Sequence, residues 1–361
     1  MPVAFEQLEG SIIDERYRLI RKIGEGGMAT VWEAEHQTLG SSVAVKFLRY
    51  GAMQNAQVRE RFLREARVAA SVRHRNVVEI MDFGVTSDGA PYLVMELLNG
   101  EPLASLLARE SFLEPAEAIR IISLVLRGIV AVHEEGIVHR DLKPQNIYVV
   151  EDVDGRYPKL LDFGVCRITE SGEKSITREG TILGTLEYMS PEQARGRKDV
   201  DYRTDVYAAG AILYETLTGR LPHESKNPGD LLVKIACDPP ARVETYQLGI
   251  PPALAEVVHK AIAKDRDERY QSAREMREAL YAASRAGGFG NVVSGVVSRI
   301  ETIEAIEARA ARAQTPTLTD GAPATPAPAE PAPATRQTGR VSSTIVLAVA
   351  IAAATAALLL L

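Results

Sequence analysis

The spacing of apolar positions changes character part-way along the chain. Up to about residue 100 the apolar residues fall in short runs rich in β-branched and aromatic side chains, at 17–23, 31–35, 43–49, 77–85 and 92–97. Each of these runs reads as a strand. One stretch, 57–72, instead places Phe62, Ala66, Ala69 and Val72 three or four residues apart, the stripe of an amphipathic helix. After Pro102 the spacing is mostly helical, most clearly over 115–134, 205–218 and 252–264. Strands followed by helices predict an α+β domain of two lobes, a β-rich N-lobe and a helical C-lobe, over 17–281. No internal repeat is visible.

Beyond that domain the pattern changes twice. Val293, Val296, Ile300, Ile303 and Ile306 recur at helical spacing and predict a juxta-domain helix within 282–313. It is shorter than the three or four heptads of a firm coiled coil, so it reads as a helix lying on the domain or the membrane, or as a homodimer contact. Residues 314–340 hold six Pro, six Ala and a single Leu, too little apolar surface to offset the entropy of ordering, and read as a Pro/Ala-rich disordered linker. Residues 341–361 carry no charge and would span about 31 Å as a helix, against about 30 Å for a bilayer core. They predict a C-terminal transmembrane helix. Arg336 and Arg340 put the preceding side in the cytoplasm. The expected localisation is a single-pass membrane protein with its globular domain in the cytoplasm. The first 16 residues carry four acidic side chains and no long apolar run, which argues against a secretory signal. With nothing after Leu361, no outside sensor domain is expected.

Charge narrows the function. Forty-two Lys and Arg against 48 Asp and Glu give a net charge of −6, which argues against a nucleic-acid partner. Cys166 and Cys237 lie too far apart in sequence for a metal pair and make no disulfide framework, in keeping with a reducing compartment.

Five segments carry candidate chemistry. Gly24, Gly26 and Gly27 lie between two strand-like runs, where glycine lets the backbone approach a phosphate or simply makes a hairpin turn. A strand follows them, not the helix of a dinucleotide-binding loop. Lys46 stands inside the apolar strand 43–48, and Glu65 lies on the apolar stripe of the 57–72 helix. A buried cation and a buried carboxylate each need a partner, so a Lys46–Glu65 ion pair answers both. His139-Arg140-Asp141-Leu142-Lys143-Pro144-Gln145-Asn146 follows an apolar helix and a strand-like 136–138, and Asp162-Phe163-Gly164 follows the run 159–161. Any of these carboxylates alone could be an ordinary turn or cap residue. As a set, Asp141 can accept a hydroxyl proton, Asn146 and Asp162 offer the hard oxygens that Mg²⁺ prefers, and Lys46 and Lys143 supply positive charge for a phosphoryl group.

In this order and spacing the motifs resemble the eukaryotic-type (Hanks-type) protein kinase family. They are the glycine loop, VAVK ending at Lys46, Glu65, HRDLKPQN, DFG, and Ser190-Pro191-Glu192 in place of APE. Asp205 and Arg269 fall where the family has a helix aspartate and a late arginine that pairs with the glutamate of that last motif. The wording GEGGMATV and SPEQARG resembles bacterial Ser/Thr kinases that are often membrane-tethered. The resemblance implies an enzyme that transfers the γ-phosphoryl group of ATP, with Mg²⁺, to Ser or Thr hydroxyls of protein substrates. The nucleotide-binding residues would be Ile23, Gly24, Glu25, Gly26, Gly27, Met28, Ala29, Thr30 and Val31 over the phosphates, Lys46 oriented by Glu65, and the hinge from Glu96 to Leu98, beside Met95, against adenine. Asp141 and Lys143 would be catalytic, and Asn146 and Asp162 would hold the metal. Within 165–189, Thr177 and Thr181 are the autophosphorylation candidates. Three departures stand out: Ala29 for the third loop glycine, Ser190 for alanine, and Tyr148 where a smaller aliphatic usually floors the adenine site. The alternative is a pseudokinase, a membrane-tethered scaffold that binds nucleotide without catalysis.

Overall fold

The computed structural model describes residues 9–26, 29–48, 55–152, 155–162, 186–247 and 249–289. In chain order the first lobe comprises β1 (Ile12–Ile13), β2 (Tyr17–Glu25), β3 (Ala29–His36), β4 (Ser42–Leu48), α1 (Ala56–Ser71), β5 (Ile80–Val85) and β6 (Pro91–Glu96). The strands form one antiparallel sheet in the order β1-β2-β3-β4-β6-β5. Period-two alternation decides which side chains face where. Val43, Val45 and Phe47 join Tyr17, Leu19, Trp32, Ala34, Tyr92 and Val94 in one core layer. Lys46 and Leu48 therefore face the other way, where Leu48 and Leu93 meet Phe62 and Ala66 of α1. The helix begins at Asn55, whose Oδ1 accepts the Gln57 and Val58 N–H groups. Strand pairing sets Val31 of β3 directly beside Lys46 of β4 in the sheet, and Ala29, at the start of β3, beside Leu48.

The expected strand 77–85 is shorter than predicted, because its first part does a different job. Only Ile80–Val85 joins the sheet, while Val77 bridges to Leu160 of the second lobe. The apolar run serves two lobes, a distinction that periodicity alone cannot draw.

The second lobe contains β7 (Gly100–Pro102), α2 (Leu103–Glu110), α3 (Pro115–Glu134), β8 (Ile147–Asp152), β9 (Gly155–Leu160), α4 (Pro191–Ala194), α5 (Arg203–Thr218), α6 (Pro228–Cys237), α7 (Pro252–Ala261) and α8 (Ala273–Ala286). The small sheet runs β7-β8-β9. The expected α+β arrangement in two lobes is thus what is observed. Residues 136–138, expected as strand-like, form no strand: the chain turns at Gly136, which takes φ +72°, and enters the loop directly. The domain boundary expected at 281 falls inside α8, where Ala283 and Ser284 are still buried. The helix within 282–313 beyond residue 289, the linker 314–340 and the span 341–361 lie outside the described residues. Among the described residues no helix is long and apolar enough to cross a membrane.

The lobe is organised around α5. Thirteen of its sixteen residues are buried, so it is a central helix and not a surface one. Gly210 lets it approach α7, since a Cβ there would sit 2.6 Å from the Cβ of Ala261. Arg269 makes two bonds of 2.8 Å to the Glu192 carboxylate, with both side chains buried. Burial would raise the Glu192 pKa, but the Arg269 guanidinium outweighs it and holds the carboxyl below its ordinary value. This is the pairing expected from the sequence. Ser190 caps α4 through a reciprocal capping box with Gln193, and its hydroxyl meets Thr204 at 2.6 Å.

The segment leading into α4 is tied to α5 by Tyr188, whose hydroxyl donates to Glu215 Oε2 at 2.7 Å. Burial pushes the Glu215 pKa up to about 7, the Tyr188 hydrogen bond opposes this, and Glu187 adds to it. The unfolded group titrates near 4.5, so the folded state holds an extra proton between these values. Unfolding free energy should therefore fall as pH rises through roughly 5 to 7 and level off above. Glu215→Gln keeps an acceptor for Tyr188 and should flatten that decline. Urea unfolding of both proteins at pH 5, 6, 7 and 8 measures it, and equal slopes would count against the assignment.

Candidate active site

The loop 139–146 is anchored by alternate side chains. Leu142 is buried in the main core, Pro144 and Asn146 are buried in a short 3₁₀ turn, and His139 is fully buried. What shapes the loop is the fully buried carboxylate of Asp205, in the first turn of α5. The His139 N–H donates to Oδ2 and the Arg140 N–H to Oδ1, both at 2.8 Å. His133 Nε2, at the end of α3, lies 2.8 Å from Oδ2. A carboxylate can only accept, so that nitrogen carries the proton. Arg140 has φ +62°, a left-handed conformation that costs a non-glycine residue about 1–2 kcal/mol. Hydrogen bonds to a charged acceptor contribute about 1.5–3 kcal/mol each, so Asp205 offsets that strain. Gln193 adds a bond from its Nε2 to the Arg140 carbonyl at 2.9 Å.

With the loop held, its polar side chains converge. Lys143 Nζ donates to Asp141 Oδ2 at 2.8 Å. Asn146 Nδ2 donates to the Asp141 carbonyl at 2.9 Å and to its Oδ2 at 3.2 Å. The amide nitrogen of Asn146 is thus engaged, and its oxygen is the atom presented to a cation. Asp162 is brought beside it by the backbone, because the Leu161 N–H donates to the Asn146 carbonyl at 2.8 Å. His139 Nε2 also lies 3.3 Å from the Leu161 carbonyl. Asp162 itself has φ +41°, a second left-handed non-glycine residue at the site.

Across the cleft, Lys46 Nζ meets Asp162 Oδ1 at 2.5 Å. Burial would raise the Asp162 pKa; the charge and hydrogen bond of Lys46, with His139 and Lys143 behind them, outweigh it and hold the carboxyl below its usual value. The expected pairing of Lys46 with Glu65 concerns a side chain outside those described, although the Glu65 backbone lies on α1 as predicted. In the hairpin, Ile23, Gly24 and Glu25 close β2 while Ala29, Thr30 and Val31 open β3, and Gly26, just past β2, donates its N–H to the Ala29 carbonyl at 2.8 Å. Gly27 and Met28 lie outside the described residues, as do Phe163, Gly164, Cys166, Thr177, Thr181 and Thr185. Glu96 ends β6, and Leu98 sits half-buried in the connection to the second sheet. Tyr148 stands on β8 with its hydroxyl donating to the Gly100 carbonyl at 2.9 Å.

These groups fit a metal nucleotide. One carboxylate, one amide oxygen and the phosphates of the ligand make the partial, oxygen-only shell that Mg²⁺ accepts. Among the described residues no three His, Cys, Asp or Glu side chains gather as an all-protein metal cage. The bound ion would neutralise phosphate charge, and the chain's own residues would do the rest. Lys46 and Lys143 would hold phosphoryl oxygens, and Asp141 would orient a hydroxyl and take its proton. Sequence reasoning had matched Asp205 by position and assigned it no role. It had also passed over His133 and Gln193. A charged residue opening an otherwise apolar buried helix is the signal that would have found Asp205.

Two lobes, a glycine hairpin beside a strand lysine, and an aspartate–lysine–asparagine loop facing a second aspartate are an arrangement that fits a nucleotide-dependent phosphotransferase. The family model of the protein kinase domain matches residues 17–281. The chain belongs to the protein kinase family, and its domain is of the serine/threonine kinase type. It is 39% identical over 278 residues to the serine/threonine-protein kinase pkn2 of Myxococcus xanthus, covering 76% of this chain and 33% of that one. It is 37% identical over 285 residues to pkn3 of the same organism, covering 78% and 52%. The chain thus spans between a third and about half of the length of these relatives. The crystal structure of the Mycobacterium tuberculosis PknI kinase domain has the same fold, with a TM-score of 0.60 at 24% identity over 76% of this chain and 98% of that one.

The Asp205 geometry makes a direct prediction. In Asp205→Asn, one of the two loop N–H groups would face an amide NH₂ in place of an oxygen. Displacing the loop by about 1 Å should cost on the order of 100-fold in turnover. Nucleotide affinity should change far less, because the strands that hold Lys46 and Glu96 do not touch Asp205. Steady-state phosphotransfer and nucleotide titration separate the two, and full turnover in the variant would refute the role.

Proposed function

We propose that this chain is an active, membrane-tethered serine/threonine protein kinase that transfers the γ-phosphoryl group of ATP·Mg²⁺ to protein Ser or Thr hydroxyls. The carrying observation is the convergence of Asp141, Lys143 and Asn146 on one loop, with Asp162 held by Lys46 from the facing sheet. Each group a phosphoryl transfer needs is present: a hydroxyl-orienting carboxylate, two phosphate-binding lysines and two hard-oxygen metal ligands. A pseudokinase scaffold would lack one of Lys46, Asp141 or Asp162, and nothing in the site favours that reading. Protein kinase relatives named for serine and threonine support the acceptor class.

The proposal extends to switching and location. Arg140 Nε is buried without a hydrogen-bond partner. A phosphate on Thr177 or Thr181 would supply one, ordering the segment after Asp162 by autophosphorylation. The apolar span 341–361 is the anchor, with Arg336 and Arg340 on the cytoplasmic side, where ATP and Mg²⁺ are available. The apolar positions Val293, Val296, Ile300, Ile303 and Ile306, at helical spacing in the sequence, are the candidate homodimer contact.

Phosphotransfer to a generic protein substrate tests the reading. Lys46→Met and Asp141→Asn should each abolish or severely reduce it while circular dichroism stays unchanged, because both act mainly on the transition state. A wild type that binds nucleotide without transfer would establish the scaffold instead. Intact-mass analysis of the active enzyme should find phosphate on Thr177 or Thr181, and Thr177→Ala/Thr181→Ala should lose activity. For the anchor, the full chain should resist carbonate extraction from membranes and a version ending at Arg340 should be soluble. A soluble full chain would remove the tether from the proposal.

A further inference from the structure

The two sheets are joined by a buried ion pair at the back of the cleft. Lys159, on β9, is 8% exposed and donates from Nζ to Glu96 Oε1 at 2.6 Å. Glu96 is the last residue of β6, so the bond links the six-stranded sheet to the three-stranded one. The same Oε1 accepts the Glu79 N–H at 2.8 Å, and the Glu96 N–H donates to the Glu79 carbonyl at 3.1 Å. Glu96 is therefore held through its side chain and its backbone.

The other end of the pair is fixed as firmly. β9 is stitched to the segment before β5: Asn76 Nδ2 donates to the Pro158 carbonyl at 2.8 Å, the Leu160 N–H to the Asn76 carbonyl at 2.9 Å, and the Val78 N–H to the Leu160 carbonyl at 2.9 Å. Asp162 follows two residues after Leu160. The surroundings of Lys159 are otherwise cationic: burial and then the charges of Arg127, Lys159 and Arg277 push the pKa of His74 down to about 4. A buried ammonium in such surroundings needs a counter-charge, and Glu96 provides it.

We propose that Lys159 and Glu96 are positioning residues for the nucleotide, fixing segment 96–98 relative to β9 and hence to Asp162. The inference rests on the reading that the nucleotide base lies against 96–98 and its metal-bound phosphates against Asp162. Those two contact sets belong to different lobes, yet a single ligand must reach both. A fixed separation removes the cost of ordering them on binding. Neither side chain needs to touch the phosphates to do this. A merely structural pair would stabilise the fold and leave nucleotide affinity unchanged.

The test uses the full chain and a fluorescent ADP·Mg²⁺ analogue, with ATP·Mg²⁺ as competitor. Lys159→Met should raise the Kd for ATP·Mg²⁺ about tenfold, with KM following and kcat within about twofold of wild type, and Glu96→Gln should raise the Kd by a similar factor. Lys159→Arg should restore most of the affinity. The double variant Lys159→Met/Glu96→Gln should be no worse than either single, the signature of a coupled pair. It leaves no unpaired buried charge, so it carries the test if a single variant fails to fold. Wild-type Kd in the double variant, with only thermal stability altered, would overturn the proposal. A wild type that fails to bind the nucleotide at all would instead overturn the nucleotide reading and this inference with it.

Discussion

The catalytic geometry depends on one buried carboxylate. Asp205 accepts two consecutive backbone N–H groups and a histidine N–H within the most buried helix of the molecule. Without those bonds Arg140 would have no reason to keep φ at +62°, and the chain would relax out of the turn that aims Asp141 into the cleft. A charge in so dry a place would be expensive alone; three charge-assisted donors make it a fixed point. From there the order propagates outward. Arg140 is also gripped by Gln193, Gln193 shares a reciprocal capping box with Ser190, and Glu192 next to it is locked by Arg269. The loop 139–146, α4 and α5 thus share one connected set of polar bonds, and rigidity at the site follows from this connection more than from any single contact.

The second requirement is that two aspartates from separate segments meet. Sheet register supplies it. β8 and β9 pair so that Ile147 lies opposite Leu160, and the backbone bond from Leu161 to Asn146 continues that ladder by one step. The residue after the ladder on each strand is therefore a metal-ligand candidate, Asn146 before β8 and Asp162 after β9. A one-residue slip would turn the apolar faces outward and separate them, so the packing of Ile147, Val149 and Leu160 in the main core also specifies the site.

The division of labour explains what could be read from the sequence. Lys46 is visible because it is a cation set in an apolar strand, and Asp141, Asn146 and Asp162 are visible because their motifs follow one another in a specific order along the chain. The two-lobed architecture is visible because short runs rich in β-branched and aromatic residues give way to apolar positions at helical spacing. Less visible were the residues that act on backbone groups. Asp205 accepts from N–H groups 65 and 66 positions away, and nothing in local spacing encodes that partnership. The run 77–85 was misjudged as one strand for the same reason. Val77 is apolar because it packs on the second lobe, not because it continues β5. Periodicity reports that a side chain is buried and is silent on which neighbour buries it.

The ion pairs in the cleft show why the site is stable before any ligand arrives. Lys46 rests on Asp162 and Lys143 on Asp141, so cations and anions that would repel a lone phosphate or a lone metal neutralise one another. On the proposed function, the entry of ATP·Mg²⁺ is an exchange of partners. The lysines pass from carboxylate to phosphate oxygens, and Asp162 passes from ammonium to metal. Two ion pairs give way to three contacts of opposite charge with the ligand, which offset the desolvation of its phosphates and metal. Asp141 alone gives up a lysine and gains a neutral hydroxyl, and its carboxylate then has the acceptor capacity to take a proton. On that reading, the same pairs that hold the cleft together in the folded chain would set Asp141 apart from Asp162 as the base.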